Sequence, residues 1–385
     1  MARNRVIYQS EALYVSEDAS SRAAAGHEQL QRVQSANYSF NVNRTDINQF
    51  GQMSRIDSLI LENPTVSFDL SYYLGDGFNE QALGFSVKQN ALADAGFASG
   101  HMVGTSGKNF YIFTVPEGND AISAQDATDA SCIALGNAYL TDYTLDASVG
   151  SIPTVTASFE AANISSFQDS LSGTLNDDIS GIISPAVKQS DGEILNETQF
   201  NINGLTGQVD STTPTALRAG DVKVTFSSAA ANENDGPIVF ITGTSVEAGD
   251  GAHIQSASLS VPLSRTPLER LGNRFPFART VDFPVNATLS VSAIVNEVTA
   301  FNLADMITGE NSNGFNITVD FQNDSNTTKF GYQLKGAQLD SESFSSSIGS
   351  NKTVDLSFSC PIGAVDDTSK NILASGTYGT VPFAT

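Results

Sequence analysis

QSASLSVPLSRTPLERLG, residues 255–272, repeats QSANYSFNVNRTDINQFG, residues 34–51, with seven identities in eighteen positions at a constant offset of 221. Gln34, Ser35, Ala36, Ser39, Arg44, Thr45 and Gly51 recur as Gln255, Ser256, Ala257, Ser260, Arg265, Thr266 and Gly272. Tyr38, Phe40 and Val42 alternate with polar residues, as do Leu259, Val261 and Leu263, which is the period of a strand with one buried face. Beyond the strand, Thr266 predicts an N-cap, Pro267 a first helical residue, Glu269 the partner in a capping box and Gly272 a left-handed residue after the last turn. The first repeat keeps the threonine and the glycine. Each repeat therefore predicts a half-buried strand, an arginine at its exit and one short helical turn.

Working outward, Val66, Phe68, Leu70, Tyr72 and Leu74 alternate strictly and stop at Gly75-Asp76-Gly77. Val285 to Val295 answers them, at a slightly smaller offset. A second block closes each repeat: residues 135–159 match residues 334–358 at offset 199, with ten identities in twenty-five positions. The chain is thus a tandem duplication that differs in length between its two blocks, as loops allow. Strands are also predicted at Val6 to Tyr8 and Leu13 to Val15, replayed at Val222 to Phe226 and Ile238 to Thr242, and at Phe110 to Val115, answered by Phe315 to Phe321. Glu80 to Ala98 has a mixed, partly helical pattern, and a short helix is predicted at Asn302 to Ile307. The boundary falls in the Ser/Thr/Pro-rich segment near residue 210. This gives one domain over 1–210, with its repeat core at 33–164, and another over 211–385, with its repeat core at 254–362. The fold class is all-β with minor helix.

The 385 residues suffice for two hydrophobic cores. A net charge of −23 arises from 42 acids against 19 bases, yet only 16% of residues are charged, so the acidity does not imply disorder. No apolar run reaches the length of a membrane span, and the N-terminus lacks the apolar centre of an export signal, so cytoplasmic synthesis is expected. Cys132 and Cys360 occupy non-equivalent places and read as buried thiols rather than a disulfide.

Catalytic and metal motifs are weak. His27, His101 and His253 have no ligand partners at metal spacing. Residues 104–108, GTSGK, lack the leading glycine and the final hydroxyl of a phosphate loop. Residues 320–326 resemble a calcium loop in composition only, without the central glycine or the terminal glutamate. No catalytic residue, metal site or cofactor is assigned, and no enzyme is expected.

Charge placement says more. Residues 109–187 contain no lysine or arginine but include Asp120, Asp126, Asp129, Asp142 and Asp146. Such a surface either keeps a concentrated protein soluble or repels a polyanion that must pass without sticking. Arg265, Arg270, Arg274 and Arg279 form the opposite cluster, with Arg44 the counterpart of Arg265. They read as a contact to carboxylates of a neighbouring subunit in preference to a nucleic-acid patch.

The segments SLSVPLSRTPLERLGNRFPFARTVDFPVNATLSV, residues 258–291, and SFNVNRTDINQFGQMSRIDSLILENPTVSFDLS, residues 39–71, resemble bacteriophage tail tube proteins of the type with two tube domains per chain. That resemblance implies tandem β-sandwich or barrel domains with short flanking helices, joined between subunits into a closed tubular β-barrel. It implies rings of three chains with pseudo-sixfold appearance, stacked into a conduit for genome ejection in the virion tail and assembled in the host cytoplasm. The arginines would then be subunit contacts and the five aspartates would line the channel. Implied partners are further copies of the chain, the tape measure, the terminator, a sheath where one surrounds the tube, and DNA in transit without specific binding. No membrane is involved. Asp46 and Asn48 stand in the first repeat where the second has Pro267 and Glu269. A β-rich adhesin, fibre or carbohydrate-binding module is the alternative, and clustered exposed aromatics would favour it.

Overall fold

The computed structural model describes residues 11–17, 27–61, 63–89, 91, 94–103, 107–115, 117, 121, 131–168, 185–187, 217, 222–228, 253–272, 275–294, 314–322, 327–347 and 351–378. In the first half the elements are β1 (Glu11–Glu17), β2 (His27–Gln29), β3 (Val33–Asn41), β4 (Thr45–Ile47), β5 (Asp57–Leu59), β6 (Thr65–Tyr73), α1 (Phe78–Leu83), β7 (Val87–Gln89), α2 (Ser99–Val103), β8 (Lys108–Thr114), β9 (Ser131–Ser148), β10 (Thr154–Ala161) and β11 (Asn163–Gln168). The second half adds β12 (Val222–Ser228), β13 (His253–Pro262), β14 (Arg265–Leu268), β15 (Ala278–Val281), β16 (Asn286–Ile294), β17 (Phe315–Gln322), β18 (Thr328–Ser345), β19 (Thr353–Pro361) and β20 (Ile372–Gly376). The protein is mostly β, as its alternation predicts. The segments Val6 to Tyr8, Ile238 to Thr242 and Asn302 to Ile307, and the boundary near residue 210, lie outside the described residues.

Each repeat builds one four-stranded antiparallel sheet in the same strand order, β9-β10-β6-β3 in the first and β18-β19-β16-β13 in the second. Burial along β6 and β16 alternates in the same phase, so Phe68 and Leu70 answer Leu289 and Val291 as core residues. Even the irregularities coincide. Gln34 is skipped between β3 and β6 and Gln255 between β13 and β16, while Thr141 bulges between β9 and β10 where Asp340 bulges between β18 and β19. A bulge pins register, because a slip of one residue would turn the apolar face to water. The structure corrects the offset of β16: Ser35 pairs Ser71 and Ser256 pairs Ser292, which is the full 221. Both alignments preserve parity, so alternation alone could not choose between them.

The long strands β9 and β18 leave these sheets at their N-terminal halves. There β9 pairs with β8 and β11, and β18 with β17 and β20. The two repeats are joined in one hydrogen-bonded system at two places. Strand β13 lies antiparallel on residues 142–148 of β9, and the short β7 lies parallel on β20. Among the described residues a single chain therefore gives an open sheet.

The predicted capped turns are β-hairpin arms. Thr45–Ile47 pairs with Asp57–Leu59, and Arg265–Leu268 with Ala278–Val281. One helical turn would leave most of its backbone groups unbonded, whereas a mate some ten residues downstream satisfies them in a ladder. Thr266 Oγ1 consequently bonds the Asp282 carboxylate at 2.8 Å instead of capping a helix. Pro267 is tolerated because β14 has a partner on one side only. Gly51 and Gly272 do take left-handed backbone, each with φ of 87°, at the arm tips.

Candidate assembly surface

The core-distal face of the joined sheets is built by alternation alone. Ser67 and Asp69 on β6, Thr144 and Asp146 on β9, Ser290 on β16 and Asp355 on β19 all stand on it, opposite buried neighbours. No lysine or arginine occurs in β3, β6, β10, β9, β13, β16, β19 or residues 338–345 of β18. The side chains are short and tied to one another. Ser258 donates to Asp146 Oδ1 at 2.5 Å, Thr144 to Asp142 Oδ2 at 3.0 Å, and Ser359 to Asp340 Oδ1 at 2.9 Å. Asp142 and Asp146 thus share one face, while Asp120, Asp126 and Asp129 lie outside the described residues. Sequence reasoning missed Asp69, Asp340 and Asp355; strand parity marks Asp69 and Asp355 as polar-face residues, while the bulge at Asp340 hides its side. The strands of this face present carboxylates and hydroxyls and no cation of their own.

The arginines separate into two groups. Arg265, half-buried, donates from Nε to the Leu140 carbonyl at 3.1 Å, from Nη1 to the Arg279 carbonyl at 3.1 Å and from Nη2 to the His101 carbonyl at 2.6 Å. Arg279 is buried and pairs with Glu160 at 2.5 Å. Both guanidinium groups sit over the Tyr139 ring, at 5.3 and 5.7 Å from its centroid. Expected at a contact between subunits, these two residues lie instead at the contact between the repeats of one chain, fastening the second arm to the first repeat. Burial lowers the Arg265 pKa, and burial together with Lys108 and Arg265 brings His101 down to about 3, so that its imidazole stays neutral. Arg44 and Arg270 are exposed, Arg270 with its guanidinium 5.7 Å from the Phe277 centroid. Arg274 lies outside the described residues.

A buried cluster forms a second tie between repeats. Tyr72 donates to Glu80 Oε1 at 2.9 Å, Tyr143 reaches the same oxygen at 3.4 Å, and the Tyr143 and Tyr332 hydroxyls are 2.5 Å apart. Tyr332 belongs to the second repeat and the others to the first. Burial raises the Glu80 pKa to about 7, and its Oε2 makes no hydrogen bond.

Two strand edges of the joined sheet have no mate among the described residues: the outer side of β3, and residues 338–345 of β18 on the side away from β19. Large apolar side chains stand exposed there, with Tyr38 at 41%, Phe40 at 60% and Phe344 at 50% of full exposure. The arm tips are also bare, with Phe50, Met53 and Leu271 fully exposed.

No known protein family's sequence profile matches the chain, and no curated protein sequence matches it. Among solved structures, a chain from the cryo-EM structure of the anti-feeding prophage (AFP) baseplate, 6-fold symmetrised, is similar at 15% identity and a TM-score of 0.28, over 44% of this chain and 99% of that one.

Proposed function

We propose that the chain is a structural subunit of a phage-type tail tube, whose joined sheets form the wall of a channel that DNA traverses. The observation that carries this reading is one sheet of eight strands, β18 to β3, whose polar-face strands carry no lysine or arginine of their own beyond residue 337 of β18, with an edge at each end that has no mate among the described residues. Open edges with exposed aromatics are a liability unless another strand covers them. Head-to-tail pairing of such edges makes a ring when the rotation closes. Three chains supply about 24 strands, and at a spacing of about 4.8 Å and a tilt of about 40° the barrel is roughly 48 Å across between backbones. That admits a duplex. Carboxylates and hydroxyls on the inner wall repel phosphates and offer none of the cationic contacts that make DNA stick.

Rings of this kind are threefold with pseudo-sixfold appearance and stack into the tube. The partners are further copies, the tape measure, the terminator and, in contractile tails, a sheath. The role is structural, without catalysis or a cofactor, in the virion tail. The adhesin alternative calls for aromatics on a ligand-facing platform. Tyr38 instead lies on the core side of an edge strand, opposite buried Phe68.

Electron microscopy of the purified protein tests the reading, with hollow tubes of stacked rings expected. Monomers at every concentration, or solid fibres without a channel, would overturn it. Within a phage, Asp142→Lys with Asp146→Lys should slow genome ejection, most of all at low salt. Ejection kinetics unchanged across salt would remove the channel-wall assignment.

A further inference from the structure

The junction between β13 and β9 is a contact between two non-equivalent edges of equivalent sheets: the β3-type edge of the second repeat seats on the β9-type edge of the first. The same two edge types are what the chain leaves open, as β3 and the distal half of β18. We infer that β3 of one chain pairs with residues 341–347 of a second copy, the end of β18 and the two residues after it, in the register that β13 already adopts on β9. This rests on the self-assembly reading above and gives it residue-level form.

The register follows by transfer. Within the chain Ser256 faces Ser148, Leu259 faces Leu145 and Pro262 faces Asp142. Offsets of 221 and 199, which the coincident bulges hold to the residue, carry these to Ser35 opposite Ser347, Tyr38 opposite Phe344 and Asn41 opposite Ser341. Leu259 and Leu145 are each only 2% exposed, buried against one another's sheets. Tyr38 and Phe344 hold the equivalent places yet stand open to solvent. An aromatic pair across two antiparallel strands fits that site.

The arginine at the strand exit transfers too. Arg265 grips the Leu140 carbonyl just before the Thr141 bulge, and the matching carbonyl for Arg44 is that of Leu339, just before the Asp340 bulge. Neutral Thr141 and Tyr143 are replaced by Asp340 and Glu342 at this edge. The exposed guanidinium of Arg44 therefore meets the Asp340 carboxylate on the neighbour, a charge match the internal junction lacks, while Glu342 takes the core-side place of Tyr143.

The test is oxidative cross-linking of the full chain carrying Asn37→Cys with Ser345→Cys, both exposed polar-face positions that face each other in the transferred register. Facing Cα atoms in an antiparallel pair are about 4.5–5.5 Å apart, within disulfide reach, whereas positions displaced by two residues are about 7–8 Å apart or more. Cys132 and Cys360 are buried, so the native thiols give little background. Ladders of linked chains are expected at least about tenfold more abundantly than from Asn37→Cys with Ser343→Cys. Three outcomes overturn the inference alone: equal linking by the two pairs, dimers from Asn37→Cys alone, which would mean β3 pairs with itself, or tubes without the ladder, in which case self-assembly survives. Monomers without links would overturn both readings. Linked open filaments without a channel would uphold the pairing and overturn the tube.

Discussion

In the second repeat, the arm of β14 and β15 is clamped by Arg265 and Arg279 onto β9, β10 and α2; in the first, the arm of β4 and β5 begins at an exposed Arg44. The hairpins share a backbone plan down to the left-handed glycine at each tip. What differs is the surface beneath them. The second arm lies against the first repeat, and the first arm has no such neighbour among the described residues of its own chain. Local sequence sets the shape of the arm, while its attachment depends on whatever repeat comes next. Arg279 and Glu160 have Ser58 and Ser359 as counterparts, so the first arm carries half of the clamp.

The largest effect is expected from Arg265→Ala. Three carbonyls lose a charged donor, and urea unfolding should show a loss of about 3–5 kcal/mol. Arg44→Ala should leave the stability of the isolated chain within about 0.5 kcal/mol of wild type and reduce assembly instead. Equal destabilisation by the two variants would break the comparison.

Glu80→Gln probes the buried tie to Tyr332. Glu80 has a folded pKa of about 7 against an ordinary 4.5, so the native state holds the proton more tightly. Its contribution is fully present below pH 4.5 and lost as pH rises through 7. The stability of wild type relative to the variant should therefore fall by on the order of 3 kcal/mol across that window. A flat difference between pH 4 and 8 would show that Glu80 titrates normally. The smallest effects belong to Gly51→Ala and Gly272→Ala. A Cβ meets nothing within 4 Å at either tip, so each should cost about 1 kcal/mol through backbone strain alone, and by the same amount. Thermal melts with unequal shifts would mean that the arms differ in backbone as well as attachment.

Strand periodicity made the sheets legible. Ser67 to Tyr73 and Asn286 to Ile294 alternate so strictly that only their relative alignment was left open, and a shift of two residues keeps every side chain on its face. The arms were misread because Thr266, Pro267 and Glu269 carry local helix-start chemistry, while their partner strand at Ala278–Val281 has no local signature. Arg265 looked like a surface cation for a related reason. Its three acceptors are backbone carbonyls, one of them 164 residues away, and carbonyls leave no trace in composition. The anionic face was half legible, since the cation-free run was visible in the first repeat, but its continuation through Ser290 and Asp355 needed the pairing of β16 with β19. Nothing in the spacing of Glu80, Tyr143 and Tyr332 could have joined them.

The β13·β9 pairing also sets a schedule for synthesis. Strand β9 leaves the ribosome roughly a hundred residues before β13, an interval of about 5–20 s at ordinary translation rates. A first repeat that folds in that time as it does in the whole chain would display both edge types at once, β3 on one side and residues 142–148 of β9 on the other. Each could capture the other on a neighbouring ribosome and start a ring made of first repeats alone. Arrival of β13 ends that window by occupying the β9 edge from within the same molecule, where a covalent tether gives it a concentration no free competitor matches. Duplication on one chain thereby fixes the order in which edges become available, and in the proposed assembly a half-made subunit is the species most prone to pair wrongly.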